Sequence, residues 1–426
     1  MSQDDEAAGE DGAAGCATED RPWLGLAWPV GGATGWGQFG LGLGRSVWEM
    51  GGTVWALGGV ETASSAVLPA DRVMMREWVP PSTDLPAGAG WVVFALGNGI
   101  GVPSGRPTMA TDRTNIKRAG LVVIEDVSCL TPDAVEYLKG LDARIAPSQW
   151  VADALTAVGI PEVPVAVQGY DERVWMPRDA ARIATRLMLP TQHTGPFIFS
   201  GGKLEFRKGQ DIVVAAFRQV LATYPDAVLV TAWDNPWPQT MDGIWLAGHV
   251  KGVPAIRGGK ADVTSWLVAN GIPADSVVDV GKVNPLELAA IVRSCDVGVF
   301  PNRCEGATNM VLVETLASGV PCVATVGHGH EMLAHAVLPI TSRGQVPRGC
   351  RLFGTQDLTA DGWTEADPAD VAMAICTLLD AGASGLSAEM LHHDAWHGWT
   401  WNALGDRMFD AICEQSPMAP TTECST

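Results

Sequence analysis

The stretch PNRCEGATNMVLVETLASGVPCVAT, residues 301–325, decides the fold of this chain. A buried apolar strand runs into Pro301, and a loop that carries Glu305 follows it. The apolar spacing of residues 310–317 predicts a helix, and residues 321–325 form a second apolar strand after a glycine turn. Strand, helix and strand in this order predict parallel strands joined by a right-handed crossover. Residues 301–325 therefore predict part of a doubly wound α/β sheet.

The same alternation extends from this stretch over most of the chain. A helix near Asn284 is well marked, because Asn284 is a suitable N-cap, Pro285 suits the first helical position and Glu287 completes a capping box. The apolar and periodic patterns predict further strands over 24–28, 91–96, 120–125, 197–200, 227–233, 276–280 and 297–301, and helices over 38–50 and 210–223, from about 367, and over 400–413. Two doubly wound domains that face a cleft are therefore expected, with ligands at the carboxyl ends of the strands.

Length, charge and cysteine use limit the functions to consider. A chain of 426 residues is long enough for two packed domains. The net charge of −20 disfavours binding to nucleic acid or to an anionic membrane, although seven acids in the first 20 residues form part of this excess. The nine cysteines are scattered without metal-ligand spacing, there is no secretory signal, and no apolar run could span a bilayer. We therefore expect a cytoplasmic protein with at most peripheral membrane contact.

Residues 301–325 also carry the most specific chemical pattern. Small neutral residues before the helix leave backbone N–H groups available for an anion, and the carboxylates of Glu305 and Glu314 can accept hydrogen bonds from sugar hydroxyls. A diphosphate flanked by two sugars would fit this layout. For each residue taken singly there is a structural alternative. Glu305 is then an exposed acid in a loop, and Glu314 is an acid near a helix start that the helix dipole favours.

This stretch resembles the donor-binding signature of the retaining GT-B glycosyltransferases of family 4, in which two glutamates flank a similar helix. The resemblance implies that Glu305 contacts the transferred sugar, that Glu314 holds the ribose of the nucleotide, and that Gly306, Thr308, Asn309 and Met310 bind the donor. Eight residues separate Glu305 from Glu314, where the family has seven.

A second resemblance lies in FSGGKLEFRKGQD, residues 199–211. Glycines after a strand allow close approach to a phosphate, and the following basic residues can stabilise a leaving diphosphate, although a solvated loop is the alternative. The family grips its pyrophosphate here with an arginine and a lysine. The resemblance assigns catalytic roles to Lys203, which stands at the arginine position, and to Lys208, and assigns donor binding to Gly201, Gly202 and Arg207.

The first domain offers two weaker candidates. The glycine-rich loop of residues 28–38 follows a strand, and its position resembles that of a family loop, so Gly35 and Gly37 are expected to present amides to the donor. Glu125 and Asp126 follow another strand and are candidates for the acceptor side, as a binding group or a base. An alternative for Asp126 is a capping role in the next turn.

Three other patterns are interpreted as structural. Residues 233–238 (WDNPWP) are expected to form a packed turn, not a sugar-stacking platform. His328 and His330 alternate in a glycine-rich turn without a third ligand at a defined spacing, and no Asp-x-Asp motif occurs. The family uses no metal, so neither a metal nor another cofactor is expected.

The resemblance covers most of residues 23–413 and implies a retaining, metal-independent glycosyltransferase that uses a nucleoside diphosphate sugar. A non-catalytic nucleotide-sugar-binding protein and a GT-B sugar-nucleotide epimerase are the alternatives. The acceptor, whether glycan, lipid-linked or a small molecule, stays open. The expected division is an acidic disordered tail over 1–21, an acceptor domain over 22–170, a linker over 171–195, a donor domain over 196–392, a helix over 393–413 that packs back on the first domain, and a flexible tail over 414–426.

Overall fold

The computed structural model folds the chain around two separate parallel sheets. It describes residues 22–32, 34–63, 66–80, 85, 88–107, 115–177, 181–346, 351–353, 356–357, 360, 362–382 and 398–416. The predicted acidic tail over 1–21 lies outside these residues. In the part of the chain that is described, no helix is long and apolar enough to cross a bilayer.

The first sheet has five parallel strands in the order β3-β1-β5-β6-β7. Its central strands are buried on both faces by helices, as parallel sheets require. The strands are β1 (Trp23–Leu26), β3 (Val54–Trp55), β5 (Gly90–Leu96), β6 (Ile116–Val122) and β7 (Ala143–Ile145), with a small parallel pair β2 (Val30–Gly31) and β4 (Val60–Glu61) beside them. The helices are α1 (Gly35–Glu49), α2 (Pro69–Glu77), α3 (Pro132–Lys139) and α4 (Gln149–Ala157).

Side-chain caps set the helix starts in this half. The Thr34 hydroxyl accepts a hydrogen bond from the amide of Gly37, so α1 begins three residues before the predicted Gln38. Thr131 and Ser148 cap α3 and α4 in the same way. The glycine-rich sequence of residues 35–44 therefore belongs to the first turns of a helix and not to an open loop.

The second sheet has six parallel strands in the order β12-β9-β8-β13-β14-β15. Asn284 caps α8 by accepting from the Glu287 amide, as predicted. The strands are β8 (Phe197–Lys203), β9 (Val228–Asp234), β12 (Val277–Asp279), β13 (Val297–Phe300), β14 (Cys322–Thr325) and β15 (Leu338–Ile340), and the helices are α6 (Gln210–Thr223), α7 (Val263–Ala269), α8 (Pro285–Ser294), α9 (Met310–Ala317) and α10 (Pro368–Ala381). Helices α6 and α9 have the predicted bounds.

Two segments differ from the prediction. The strand expected to end at Ser200 continues to Lys203, because β8 pairs with β9 along its whole length, up to Lys203 opposite Asp234. The segment expected to be a linker contains a helix, α5 (Ala181–Met188). The remaining strands are short antiparallel pairs: β10 (Ile256–Arg257) with β11 (Lys260–Ala261), β16 (Ser342–Gln345) with β19 (Thr364–Ala366), and β17 (Arg351–Phe353) with β18 (Gln356–Asp357).

The last helix, α11 (Trp401–Gln415), returns to the first domain, as predicted. Trp401 packs edge-to-face on Phe39 of α1, with ring centroids 5.2 Å apart. The Gln415 side chain exchanges hydrogen bonds with the backbone of Arg144 on β7. The flexible tail predicted from residue 414 therefore overlaps this helix, and residues 417–426 lie outside the described chain.

Gly42→Ala is expected to lower the free energy of unfolding by about 1–3 kcal/mol. A Cβ at Gly42 would lie 2.2 Å from the Trp401 ring, so α1 and α11 would have to separate. Urea unfolding measures the effect. Gly398→Ala is the control, because a Cβ there meets no atom within 4 Å and the loss should stay within about 0.5 kcal/mol. Equal stability of the two variants would contradict this packing.

Candidate active site

A cavity of about 600 Å³ opens between the carboxyl ends of the two sheets. Its volume suits a ligand of cofactor or nucleotide-sugar size. Both domains contribute to its wall. The polar and charged side chains that border it include Arg45, Asp71, Asn98, Glu125, Asp171, Lys203, Arg207, Lys208, Asp234, Lys282, Glu305, Asn309 and Glu314.

Glu305 is the centre of the charged part of this wall. Its carboxylate accepts from Lys208 Nζ at 2.5 Å and from Arg207 Nη1 at 2.8 Å, and it also accepts from the Asn302 amide. Burial by itself would raise the pKa of Glu305, but the two cations outweigh it and the pKa falls to about 2. Glu305 is therefore a charged acceptor at neutral pH, held in one orientation by three donors.

Arg207 is buried and surrounded by acceptors. Its guanidinium donates to Glu305, to Glu205 Oε1 at 2.7 Å and to the Cys304 carbonyl, and it lies 3.1 Å from Glu125 Oε1 of the first domain. Burial acts to lower its pKa, but the surrounding carboxylates raise the pKa well above the ordinary value. Arg207 therefore links the two walls of the cleft by an ion pair.

Lys203, Gly201 and Gly202 occupy the last three positions of β8. Lys203 Nζ lies 2.7 Å from Glu205 Oε2, so this lysine borders the cavity as one half of an ion pair. Gly202, at φ +122°, borders the cavity, and no atom lies within 4 Å of the position of a Cβ there. A Cβ at Gly201 would lie 2.7 Å from the Phe199 ring. Close packing inside the second domain therefore requires glycine at this position.

The segment before α9 divides between the cavity and the domain interface. Asn309, at φ +61°, and Met310 border the cavity. A Cβ at Gly306 would lie 2.1 Å from the Ile124 carbonyl of the first domain, and the Gly306 carbonyl accepts from the Ser148 hydroxyl. These contacts place Gly306 in the domain interface.

Thr308 precedes these cavity residues and is fully buried. Its hydroxyl oxygen has no hydrogen-bond partner in the described structure. Thr308 is not among the residues that line the cavity, unlike its neighbours Asn309 and Met310.

Glu314 borders the cavity one turn further along α9. Burial, followed by the nearby Asp171 carboxylate, raises the pKa of Glu314 to about 8, although a hydrogen bond with Trp175 opposes the rise. Asp171 itself pairs with Arg45 at 2.6 Å and with Arg173 at 2.7 Å. Glu314 and Glu305 therefore border one cavity in opposite protonation states at neutral pH.

The first domain contributes Gly35 and Glu125 to the cavity. A Cβ on Gly35 would lie 3.6 Å from Met310 across the cleft, whereas the amide of Gly37 is already bonded to Thr34. The Glu125 carboxylate accepts from Asn98 Nδ2 at 2.8 Å in addition to its ion pair with Arg207.

Asp126 is fully buried and caps the following turn. Its carboxylate accepts from the Ser128 amide at 2.8 Å and from the Ala360 amide of the second domain at 3.2 Å. The two neighbouring acids therefore differ in place: Glu125 borders the cavity, and Asp126 has the capping position that was its alternative.

The site contains residues that the sequence patterns did not single out. Asn302 orients Glu305, Asn98 orients Glu125, and Asp171 acts on Glu314. Asp171 is the first residue of the segment 171–195 that was expected to be a linker. Asn98 and Asn302 each lie two residues after the end of a strand, and single asparagines at such positions are too common to indicate a site.

Histidine and carboxylate groups of the described residues do not form a cluster of three or more metal ligands. His330 is buried, with Nδ1 3.1 Å from the Thr325 carbonyl and Nε2 3.3 Å from Asn309 Nδ2. His328 packs on Trp150 of the first domain. His330 therefore contacts the segment before α9, and His328 lies against the first domain.

Comparisons with known proteins agree with this geometry. Residues 195–381 match the family model described as "Glycosyl transferases group 1". A D-inositol 3-phosphate glycosyltransferase of Acidothermus cellulolyticus is 28% identical over 235 residues, which cover 55% of this chain and 44% of that protein. One of Segniliparus rotundus is 27% identical over 219 residues, which cover 48% and 43%. The matched part thus spans less than half the length of these relatives.

Solved structures show the same architecture. Sucrose-phosphate synthase from Thermosynechococcus elongatus has a TM-score of 0.60 at 15% identity and covers 92% of this chain and 99% of its own. Anabaena HepE in complex with UDP and glucose has a TM-score of 0.57 at 13% identity, with 92% and 98% covered. These similarities show that the two Rossmann-like domains are arranged as a GT-B fold.

Proposed function

We propose that this chain, a group 1 glycosyl transferase by its residues 195–381, moves a sugar from a nucleoside diphosphate sugar to an acceptor with retention of configuration. One observation carries the proposal. Glu305 and Lys208, the two residues with the clearest counterparts in the family motifs, meet at 2.5 Å on the wall of the interdomain cavity.

The second domain supplies the groups for the donor. Lys208 places a positive charge beside Glu305, where a leaving diphosphate develops negative charge in the transition state. The ionised Glu305 accepts hydrogen bonds from the transferred sugar, and Glu314 accepts one from the ribose. Closure of the cleft keeps water from hydrolysing the donor.

The first domain supplies the acceptor side. Glu125 borders the cavity and is oriented by Asn98 and Arg207, so it is the group that contacts an acceptor hydroxyl. The Asp126 carboxylate already caps the following turn, so it does not contact the acceptor. The leaving phosphate accepts the acceptor proton, which requires no separate base. The relatives' name, D-inositol 3-phosphate glycosyltransferase, supports a phosphorylated polyol as one acceptor to assay.

Metal independence and a cytoplasmic location belong to the same proposal. Lys208 provides the positive charge for the leaving group, so we expect transfer to continue in EDTA. The six cysteines among the described residues are free thiols, which suits a reducing compartment.

The testing experiment incubates the protein with UDP-, GDP- and ADP-sugars in EDTA, with a broad acceptor panel. Slow donor hydrolysis or transfer, reduced at least about 100-fold in Glu305→Gln, supports the enzyme. Binding of a nucleotide sugar without turnover for any acceptor would contradict it and favour the non-catalytic alternative. Recovery of a 2-epimer of the donor sugar would favour the epimerase.

Nucleoside diphosphate binding is expected to release a proton near neutral pH. Glu314, with a pKa of about 8, is protonated in the free protein, and a ribose hydroxyl that donates to it favours the carboxylate. Affinity should therefore rise as the pH rises towards about 8. The raised pKa also predicts that the free protein loses stability as the pH rises from the ordinary glutamate range through about 8.

The nucleotide is titrated calorimetrically in Pipes and in Tris at the same pH. Because the two buffers differ in ionisation enthalpy, the difference in the binding heat gives the number of protons released. Glu314→Gln should bind without proton release. A wild-type protein that binds with no proton exchange would contradict the ionisation of Glu314 on nucleotide binding.

A further inference from the structure

Trp237 is an exposed aromatic side chain on the wall of the cavity. It is 40% exposed and borders the cavity, whereas Trp233, four residues earlier, is 1% exposed and packs on Trp266. The sequence had predicted one packed turn for both. The structure corrects this for Trp237, which presents its indole to the ligand space.

The turn that carries Trp237 is held rigidly. The buried Asn235 side chain donates to the Leu204 carbonyl at 2.6 Å and to the Thr240 hydroxyl at 2.7 Å, and it accepts from the Trp237 amide at 2.8 Å. The Thr240 hydroxyl in turn donates to the Trp237 carbonyl. Because the backbone of the turn is already ordered, only the side-chain torsions of Trp237 lose freedom when a ligand stacks on the indole.

The position of Trp237 along the sheet edge indicates which part of a donor it meets. The strands run in the order β12-β9-β8-β13, so the Trp237 turn after β9 lies between the Gly281–Lys282 loop after β12 and the cations that follow β8. Lys203 Nζ lies 5.4 Å from the centre of the indole. Glu305 follows β13, on the other side of those cations.

We propose that Trp237 is the stacking platform for the nucleobase of the bound nucleotide, an inference that rests on the proposed function. A diphosphate at the cations of β8, with its sugar towards Glu305, extends its nucleoside towards β9 and β12. A planar base stacks on an indole whatever its identity, so Trp237 supplies affinity for any base rather than selection among them.

Equilibrium titration of the full chain with UDP, GDP and ADP tests this. Trp237→Ala should weaken the binding of every nucleoside diphosphate that the wild type binds by roughly 5- to 100-fold, and Trp237→Phe should retain most of the affinity. Displacement by inorganic pyrophosphate, which has no base, should stay within about twofold in both variants. Trp245→Ala is the matched control, since Trp245 is 47% exposed and does not border this cavity.

Unchanged nucleotide affinity in Trp237→Ala would overturn this inference alone. An equal loss for nucleoside diphosphates and for pyrophosphate would also overturn it, because Trp237 would then act by positioning Lys203. A wild type that binds none of the three nucleoside diphosphates would overturn the proposed function and this inference together.

Discussion

Lys208→Ala is expected to lower kcat for sugar transfer by about 10²- to 10³-fold with a smaller change in KM. The ammonium group lies 2.5 Å from Glu305 in the cleft, where a leaving diphosphate gains charge during the reaction. An interaction that strengthens in the transition state acts on kcat more than on ground-state binding. Steady-state kinetics with the donor identified by the panel measure both constants.

The matched control is Lys260→Ala, which removes an exposed lysine of the β10–β11 hairpin in the second domain. It should leave kcat and KM within about twofold. The alanine variant at 208 should remain folded, because Glu305 keeps its bonds to Arg207 and Asn302. A rise in KM alone, with kcat unchanged, would show that Lys208 binds the donor without assisting departure of the diphosphate.

Arg303→Met is expected to cost about 3–5 kcal/mol of unfolding free energy, the largest stability effect we predict. Arg303 is fully buried and forms paired hydrogen bonds to Asp211 at 2.7 Å and to Glu365 at 2.6 and 2.8 Å. Its guanidinium also lies 3.7 Å from the Phe206 ring centre. Removing the cation leaves Asp211 fully buried without its charged partner and Glu365 with His249 only.

Unfolding in guanidinium chloride, followed by tryptophan fluorescence, measures this loss. Arg257→Met is the control, because Arg257 pairs with Asp262 while its side chain is 75% exposed, and such pairs contribute about 1 kcal/mol at most. If the two arginine variants lost similar stability, the buried network would not be the determinant we infer.

The sequence pattern predicted the second sheet well, because apolar runs mark its strands and helical apolar spacing marks its helices. Helix α6 and helix α9 have the predicted bounds, and Asn284 caps α8 as expected. One error lies where tertiary pairing extends an element. Lys203 belongs to β8 only because Asp234 of β9 lies opposite it.

The motifs identified the loops of the candidate site but not the state of each group in them. Glu305, Lys208 and Glu314 border the cavity, as a donor site requires. Gly306, by contrast, is needed where the second domain approaches Ile124, and Asp126 caps a turn. Both distinctions depend on contacts between residues far apart in the chain, for which a local motif carries no signal.

The sequence by itself determined the alternation of strands and helices, the two-domain α/β class and the loops that follow the strands, since apolar period and capping act over a few residues. Only the tertiary structure decided the charges within the cleft. Burial near Asp171 keeps Glu314 protonated, whereas Arg207 and Lys208 keep Glu305 ionised. A pKa depends on solvent exclusion and on charges within several ångströms, and those distances exist only once the chain has folded.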